Sequence, residues 1–188
     1  MSRTEREKMI AGEPYLSSDP ELAAARSRAR KLCRRFNSTE DEDAAARREL
    51  LASLFGRMGE RVWIEPPFFL DYGSQTAVGD DVFINPGCVI LDCAAVAIGD
   101  RVLLGPNVQI LTAHHPVDPD VRRDLREGAS PIEIGDDAWI GGGAILCPGV
   151  TVGAGSTVGA GSVVTKDVPE RVVAAGNPCR VIRTLSRG

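Results

Sequence analysis

The chain of 188 residues has two histidines, and they are neighbours, in Thr112-Ala113-His114-His115-Pro116. A neutral imidazole, with an unperturbed pKa of roughly 6.5, can take a proton from a hydroxyl near neutral pH and hand it to a leaving group. A zinc site would need about three nitrogen or thiolate ligands. Two adjacent histidines cannot easily face one ion, and no third exists, so no metal is expected; pooling of ligands by three chains is the one arrangement left open. Covalent chemistry has little support. No serine sits beside the histidines. The five cysteines (Cys33, Cys88, Cys93, Cys147 and Cys179) are widely spaced, without a CxxC, and read as reduced, mostly buried thiols. A covalent intermediate on serine or cysteine is therefore not expected.

Other chemistry-bearing residues are scattered. Asn85 ends the apolar run Val82-Phe83-Ile84, where it either meets a ligand or satisfies a corner carbonyl. From Lys166 onward five basic residues (Lys166, Arg171, Arg180, Arg183 and Arg187) face two acidic ones, Asp167 and Glu170, on a chain of net charge −4. Such a patch suits a small anion or is a solvated tail; the acidic balance argues against general nucleic-acid binding. Gly153-Ala154-Gly155 with Gly159 imitates a dinucleotide fingerprint, but no βαβ unit surrounds it and its glycines follow another rhythm.

That rhythm organises the chain. Aliphatic residues recur every sixth position through Ile134, Ile140, Leu146, Val152, Val158 and Val164. Earlier series run Val78, Ile84, Ile90 and then Ile98, Leu104, Ile110. Small or branched residues recur four places after nine of them, from Val82 to Ser162, and Gly79, Gly99, Gly105, Gly135, Gly141, Gly153 and Gly159 follow directly. A parallel β-helix has this period, one short strand and one corner per hexad, with glycines serving positive φ or close backbone approach. The hexads stop after Ile110 and restart near Ile132, so residues 113–131 leave the stack as a long loop with both histidines at its foot; such loops are usually functional. Residues 1–60 read as a helical segment: Asp19-Pro20 starts one helix through Leu22, Ala25, Ala29, Leu32 and Phe36, and a second carries Leu50, Leu51, Leu54, Phe55 and Met58. Residues 61–188 form the β-helix domain with its loop and basic tail. No apolar window reaches the roughly 18 residues of a membrane span, and the N-terminus lacks a signal-peptide core. A cytoplasmic protein without membrane partners is expected.

Longer motifs add a resemblance. The loop beginning His115-Pro116, Ile134-Gly135-Asp136-Asp137-Ala138-Trp139-Ile140-Gly141-Gly142-Gly143, Gly159-Ala160-Gly161-Ser162-Val163-Val164-Thr165-Lys166-Asp167-Val168-Pro169 and Gly176-Asn177-Pro178-Cys179-Arg180-Val181-Ile182-Arg183 look like the maltose/galactoside O-acetyltransferases, a branch of the hexapeptide-repeat acyltransferases. Lys8-Met9-Ile10-Ala11-Gly12-Glu13-Pro14-Tyr15 and Asp71-Tyr72-Gly73 match as well, so the resemblance covers nearly the whole chain. It implies a left-handed parallel β-helix, an exception to the usual right-handed crossover. It also implies a homotrimer with sites between subunits, and acetyl-CoA as donor.

The same resemblance assigns roles. His115, directly before proline, is the implied general base, which leaves His114 a loop residue. Asp71, Asn85 and Asp92 are implied acceptor-binding groups; Cys93 stands where some sugar-specific relatives carry a second aspartate. Ala160, Thr165, Lys166, Arg180 and Arg183 are implied to hold acetyl-CoA, with Trp139 and Gly142 near the thioester. Some relatives have serine at position 142, whereas Gly142 offers only its backbone N–H to an oxyanion. The expectation is acetyl transfer from acetyl-CoA to a hydroxyl of a small acceptor, a sugar such as maltose, glucose or a galactoside. The alternatives are another acceptor (antibiotic, amino-sugar or sugar nucleotide) and a non-catalytic trimeric scaffold.

Overall fold

The computed structural model describes residues 3–40 and 42–186; Arg187 of the basic tail lies outside them. Three parallel sheets wind about one axis and form the faces of a prism. The first face holds Arg57–Met58, Thr76–Val78, Val96–Ile98, Ile132–Ile134 and Thr151–Val152. Trp63–Ile64, Phe83–Ile84, Leu103–Leu104, Trp139–Ile140, Thr157–Val158 and Val172–Ala175 form the second, which Arg180–Thr184 extends by antiparallel pairing. The third holds Phe69–Leu70, Val89–Leu91, Gln109–Leu111, Ile145–Leu146 and Val163–Val164.

The hexads explain this architecture. A strand of two or three residues has room for one inward side chain, and the next residues must turn the corner. All twelve aliphatic residues of the series are buried. Like stacks on like: Val78 pairs with Ile98, Ile98 with Ile134 and Ile134 with Val152. The glycines directly after them serve close approach. A Cβ on Gly141 would lie 2.5 Å from the Ala160 nitrogen of the next coil. Positive φ falls two residues further on, at Gly143 (69°) and at Asp81, Arg101, Asn107 and Asp137 (56–60°).

The N-terminal segment covers the open end of the prism. Helices α1 (Glu5–Ile10), α2 (Pro20–Asn37) and α3 (Ala44–Leu54) precede the first coil. Asp19 caps α2 by accepting from Glu21 N at 2.9 Å. Ala29, Cys33, Phe36, Leu51, Leu54 and Phe55 join the core formed by Ile64, Phe68 and Leu70. Buried Arg47 stacks over Trp63 (4.8 Å) and Phe36 (5.3 Å) and donates to Ile64 O at 2.7 Å. The sequence reading carried the second helix to Met58; instead Arg57–Met58 is the first parallel strand, paired with Ala77–Val78. The reason is local: Phe55 turns extended (ψ 149°), and Gly56 packs so tightly that a Cβ would lie 2.4 Å from Ser74 O.

Residues 113–131 are more ordered than a loop. Ala113–His114 pairs antiparallel with Gly128–Ala129, and a short helix α4 (Pro119–Arg122) occupies the tip. The returning strand Arg126–Ala129 also pairs with Tyr15–Leu16, so the N-terminal segment and the arm share a three-stranded sheet. Among the described residues no helix is long and apolar enough to cross a membrane.

Candidate active site

The residues singled out from the sequence fall on two edges of the prism and on its second face. Asp71, Asp92, His115, Thr165 and Lys166 all follow third-face strands, where the chain turns toward the first face. Asn85, Gly142 and Ala160 occupy the corners between the second and third faces. Trp139, Arg180 and Arg183 lie on the second face. Within one chain these groups are therefore separated by the width of the third face. Both groups run in the same axial order, with expected acceptor residues at the N-terminal coils and expected donor residues at the C-terminal coils.

On the first edge the arm carries His115 directly after Ala113–His114, exposed to solvent. His114 packs across the arm, so close that a Cβ on Gly128 would lie 2.4 Å from its Cε1. Below the arm, Asp71 walls a polar cavity of about 180 Å³ with Ser17, Arg26, Tyr72, Cys93 and Glu127. Glu127 accepts from Ser17 Oγ (2.6 Å) and the Tyr15 hydroxyl (3.0 Å). Arg26 donates to the Tyr72 hydroxyl (2.5 Å) and to Ser17 O (2.6 Å). Burial pushes the Asp71 carboxyl up, and the Arg26 and Arg30 guanidinium groups oppose the rise. Sequence reasoning missed Ser17, Arg26 and Glu127, because the pairing of Tyr15–Leu16 with Arg126–Glu127 leaves no local periodicity to find.

Asp92 differs from its sequence expectation. It has no exposed surface. Its carboxylate accepts from Tyr72 N (2.8 Å), Thr76 Oγ1 (3.1 Å) and Gln75 N (3.3 Å), holding the turn that follows Asp71. Burial raises its pKa from 3.8 to about 6.

On the second edge Asn85 does what the sequence left open as one alternative: its Nδ2 donates to the corner carbonyl of Leu104 at 2.8 Å. Gly141 N and Gly143 N donate to Val158 O (2.7 Å) and Pro106 O (2.8 Å). Between them the Gly142 N–H has no acceptor among the described residues. Ala160 is exposed one coil along. Trp139, 53% exposed, shares an outward column with Trp63, Phe83 and Leu103 on one side and Thr157, Val173 and Arg183 on the other. No carboxylate among the described residues pairs with Lys166, Arg180 or Arg183.

Alternative chemistries find little here. All five cysteines are free, and burial pushes the Cys88 and Cys93 thiols up to about 11 and about 12, far from a thiolate at neutral pH. Among the described residues no group of three or more His, Cys, Asp or Glu side chains is placed to hold a metal ion.

A three-sided β-helix of hexads, with a histidine arm on one edge and a free backbone N–H on another, defines a hexapeptide-repeat transferase. Residues 131–166 match the family described as bacterial transferase hexapeptide (six repeats), and residues 8–59 match the maltose acetyltransferase hexapeptide capping motif. The chain is similar to a maltose O-acetyltransferase from Clostridium difficile 630, at 45% identity and a TM-score of 0.97 over the whole of both chains. It is similar to a hexapeptide-repeat acetyltransferase from Vibrio cholerae solved with acetyl coenzyme A, at 41% identity and a TM-score of 0.91, covering 98% of this chain and 100% of that one. A galactoside acetyltransferase in complex with coenzyme A is 38% identical with a TM-score of 0.94, covering 98% of this chain and 92% of that one. The chain belongs to the maltose/galactoside O-acetyltransferase family of hexapeptide-repeat acyltransferases, and it is an acetyltransferase.

Proposed function

We propose that the protein moves an acetyl group from acetyl-CoA to a hydroxyl of a small sugar, in sites shared between neighbouring copies of a homotrimer. The observation that carries this reading is the division of the expected site residues between two edges in the same axial order. The first edge of one copy set against the second edge of the next joins Asp71 and His115 to Asn85, Trp139 and Gly142. The same contact sets Thr165 and Lys166 near Ala160, Arg180 and Arg183. A trimer closes this heterologous contact into a ring.

The chemistry then follows from the residues. Asp71 accepts from a sugar hydroxyl, and Asp92 holds the turn behind it. His115 removes the proton of the attacking hydroxyl as its oxygen bonds to the thioester carbonyl carbon. The Gly142 N–H donates to the oxygen on which negative charge develops. When the tetrahedral species collapses, the carbon–sulfur bond breaks and the proton on His115 goes to the departing thiolate. Arg180, Arg183 and Lys166 bind the donor's phosphates. Five unpaired cysteines suit the cytoplasm. Release of free thiol from acetyl-CoA across a panel of hydroxylated acceptors tests the reading. Turnover confined to amines, or to no acceptor at all, would overturn it.

A further inference from the structure

Asp71 walls a second cavity besides the polar one. Between α2 and the start of the third face lies a groove of about 310 Å³, lined by Arg30, Arg34, Asn37, Phe69, Val89 and Leu91, with Asp71 at its inner end. Arg30 and Asp71 line both cavities, so the two are neighbours that share the Asp71 wall. The groove combines two features. Phe69 offers a ring face that is 48% exposed, although it sits beside a fully buried Phe68. Above it α2 is strongly basic: Arg26, Arg28, Arg30, Lys31, Arg34 and Arg35 follow one another without an acidic residue between them.

Three of these cations have identifiable partners. Arg26 holds Tyr72 and Ser17, and Arg28 donates to Ser53 O at 3.0 Å. Arg30 is 3.8 Å from Asp71, with its side chain 61% exposed. Arg34 lines the groove and pairs with no carboxylate among the described residues. A guanidinium without a carboxylate, beside an exposed aromatic ring, is suited to a planar or ring-bearing group that ends in an anion.

We propose that this groove is a subsite for an extended acceptor, in which an aglycone or second ring lies against Phe69 and ends in a carboxylate or phosphate held by Arg34 and Arg30. The inference rests on the proposed acceptor site at Asp71 and deepens it. The favoured acceptor is a glycoside with an acidic extension, and a plain monosaccharide fills only the inner cavity. The Asp71 carboxylate at the junction excludes an acidic group from the inner cavity, so charge in the ligand selects its orientation.

The probes are a phenyl glycoside and its 4-carboxyphenyl counterpart, titrated calorimetrically into the full chain and into Arg34→Gln. The carboxylated ligand is expected to bind about tenfold more tightly than the neutral one, as one charge-assisted contact gives. The preference should vanish in Arg34→Gln and shrink at high salt. Equal affinity for the two ligands, binding of neither, or a preference that survives Arg34→Gln would overturn the subsite. Acetylation of a simple methyl glycoside, which does not reach the groove, judges the proposed transferase reading separately.

Discussion

Trp139 and Arg183 stand in one outward column of the second face, with Thr157 and Val173 as the rungs between them. At about 4.8 Å per paired strand the two are about 14 Å apart along the prism. On the proposed reading, a donor laid along this column has its thioester at Trp139, beside the Gly142 N–H, and its phosphates at Arg183. Arg183→Ala and Lys166→Ala are each expected to weaken coenzyme A binding by about tenfold or more, the scale of one lost charge-assisted hydrogen bond. If either residue holds the 3′-phosphate, its loss should matter less for dephospho-coenzyme A. Titration calorimetry checks this, and unchanged affinity in both variants would remove the donor assignment.

The arm separates the roles of the two histidines. Both rings are exposed, but the His114 ring lies against Gly128 across the arm. His115→Ala should lower turnover by roughly 10²–10⁴-fold, as loss of a general base does, with coenzyme A affinity unchanged. His114→Ala should have a mild effect. Steady-state kinetics showing equal losses, or no loss at His115, would contradict the assignment.

The coil was legible because the six-residue period is local: each inward residue announces itself by its distance from the last. Contacts between distant segments carry no such mark. The strand Tyr15–Leu16 is two residues long and pairs with a segment more than a hundred positions away, so neither it nor the cavity it closes around Glu127 could be read. Helix α1 also went unread, although Thr4 and Glu7 form a capping box whose spacing is local. The burial of Asp92, a residue assigned by the resemblance, carries no local mark either, because the Tyr72–Thr76 turn folds its donors over the carboxylate. The resemblance brought the site residues together as one set. Counting corners shows that they belong to two edges.

Corner packing sets a stability expectation. Gly141→Ala places a Cβ 2.5 Å from the Ala160 nitrogen, and two stacked backbones cannot part without unstacking the coil. Overpacking typically costs about 1–3 kcal/mol, which for a chain of this size lowers Tm by roughly 3–10 °C. Differential scanning calorimetry should show that loss, together with reduced turnover because Gly142 and Ala160 shift. An unchanged Tm would mean that the corner is looser than described.

Asp92 should make stability fall as pH rises through the acid range. Its carboxyl has an ordinary value of 3.8, raised by burial to about 6 in the folded chain. Between these values the native state binds more protons than the unfolded state, so unfolding free energy decreases with rising pH and levels off above about 6. The corresponding free energy is about 3 kcal/mol. Urea unfolding of the native chain and of Asp92→Asn from pH 4 to 7.5 isolates this group, since the other acids are common to both. The native chain should lose stability relative to the variant across that window. A pH-independent difference would contradict the assignment.

The central claim is that each active site is built from the first edge of one copy and the second edge of the next. Co-expression of two differently tagged chains, His115→Ala and Asn85→Ala, each with its turnover first measured alone, tests it most directly. Every ring that contains both chains has one site in three at which an intact His115 meets an intact Asn85. Doubly tagged trimers should therefore recover turnover far above that of either variant alone, approaching about a third of native activity. Mixed trimers no more active than the two pure variants would show that the site lies within one chain.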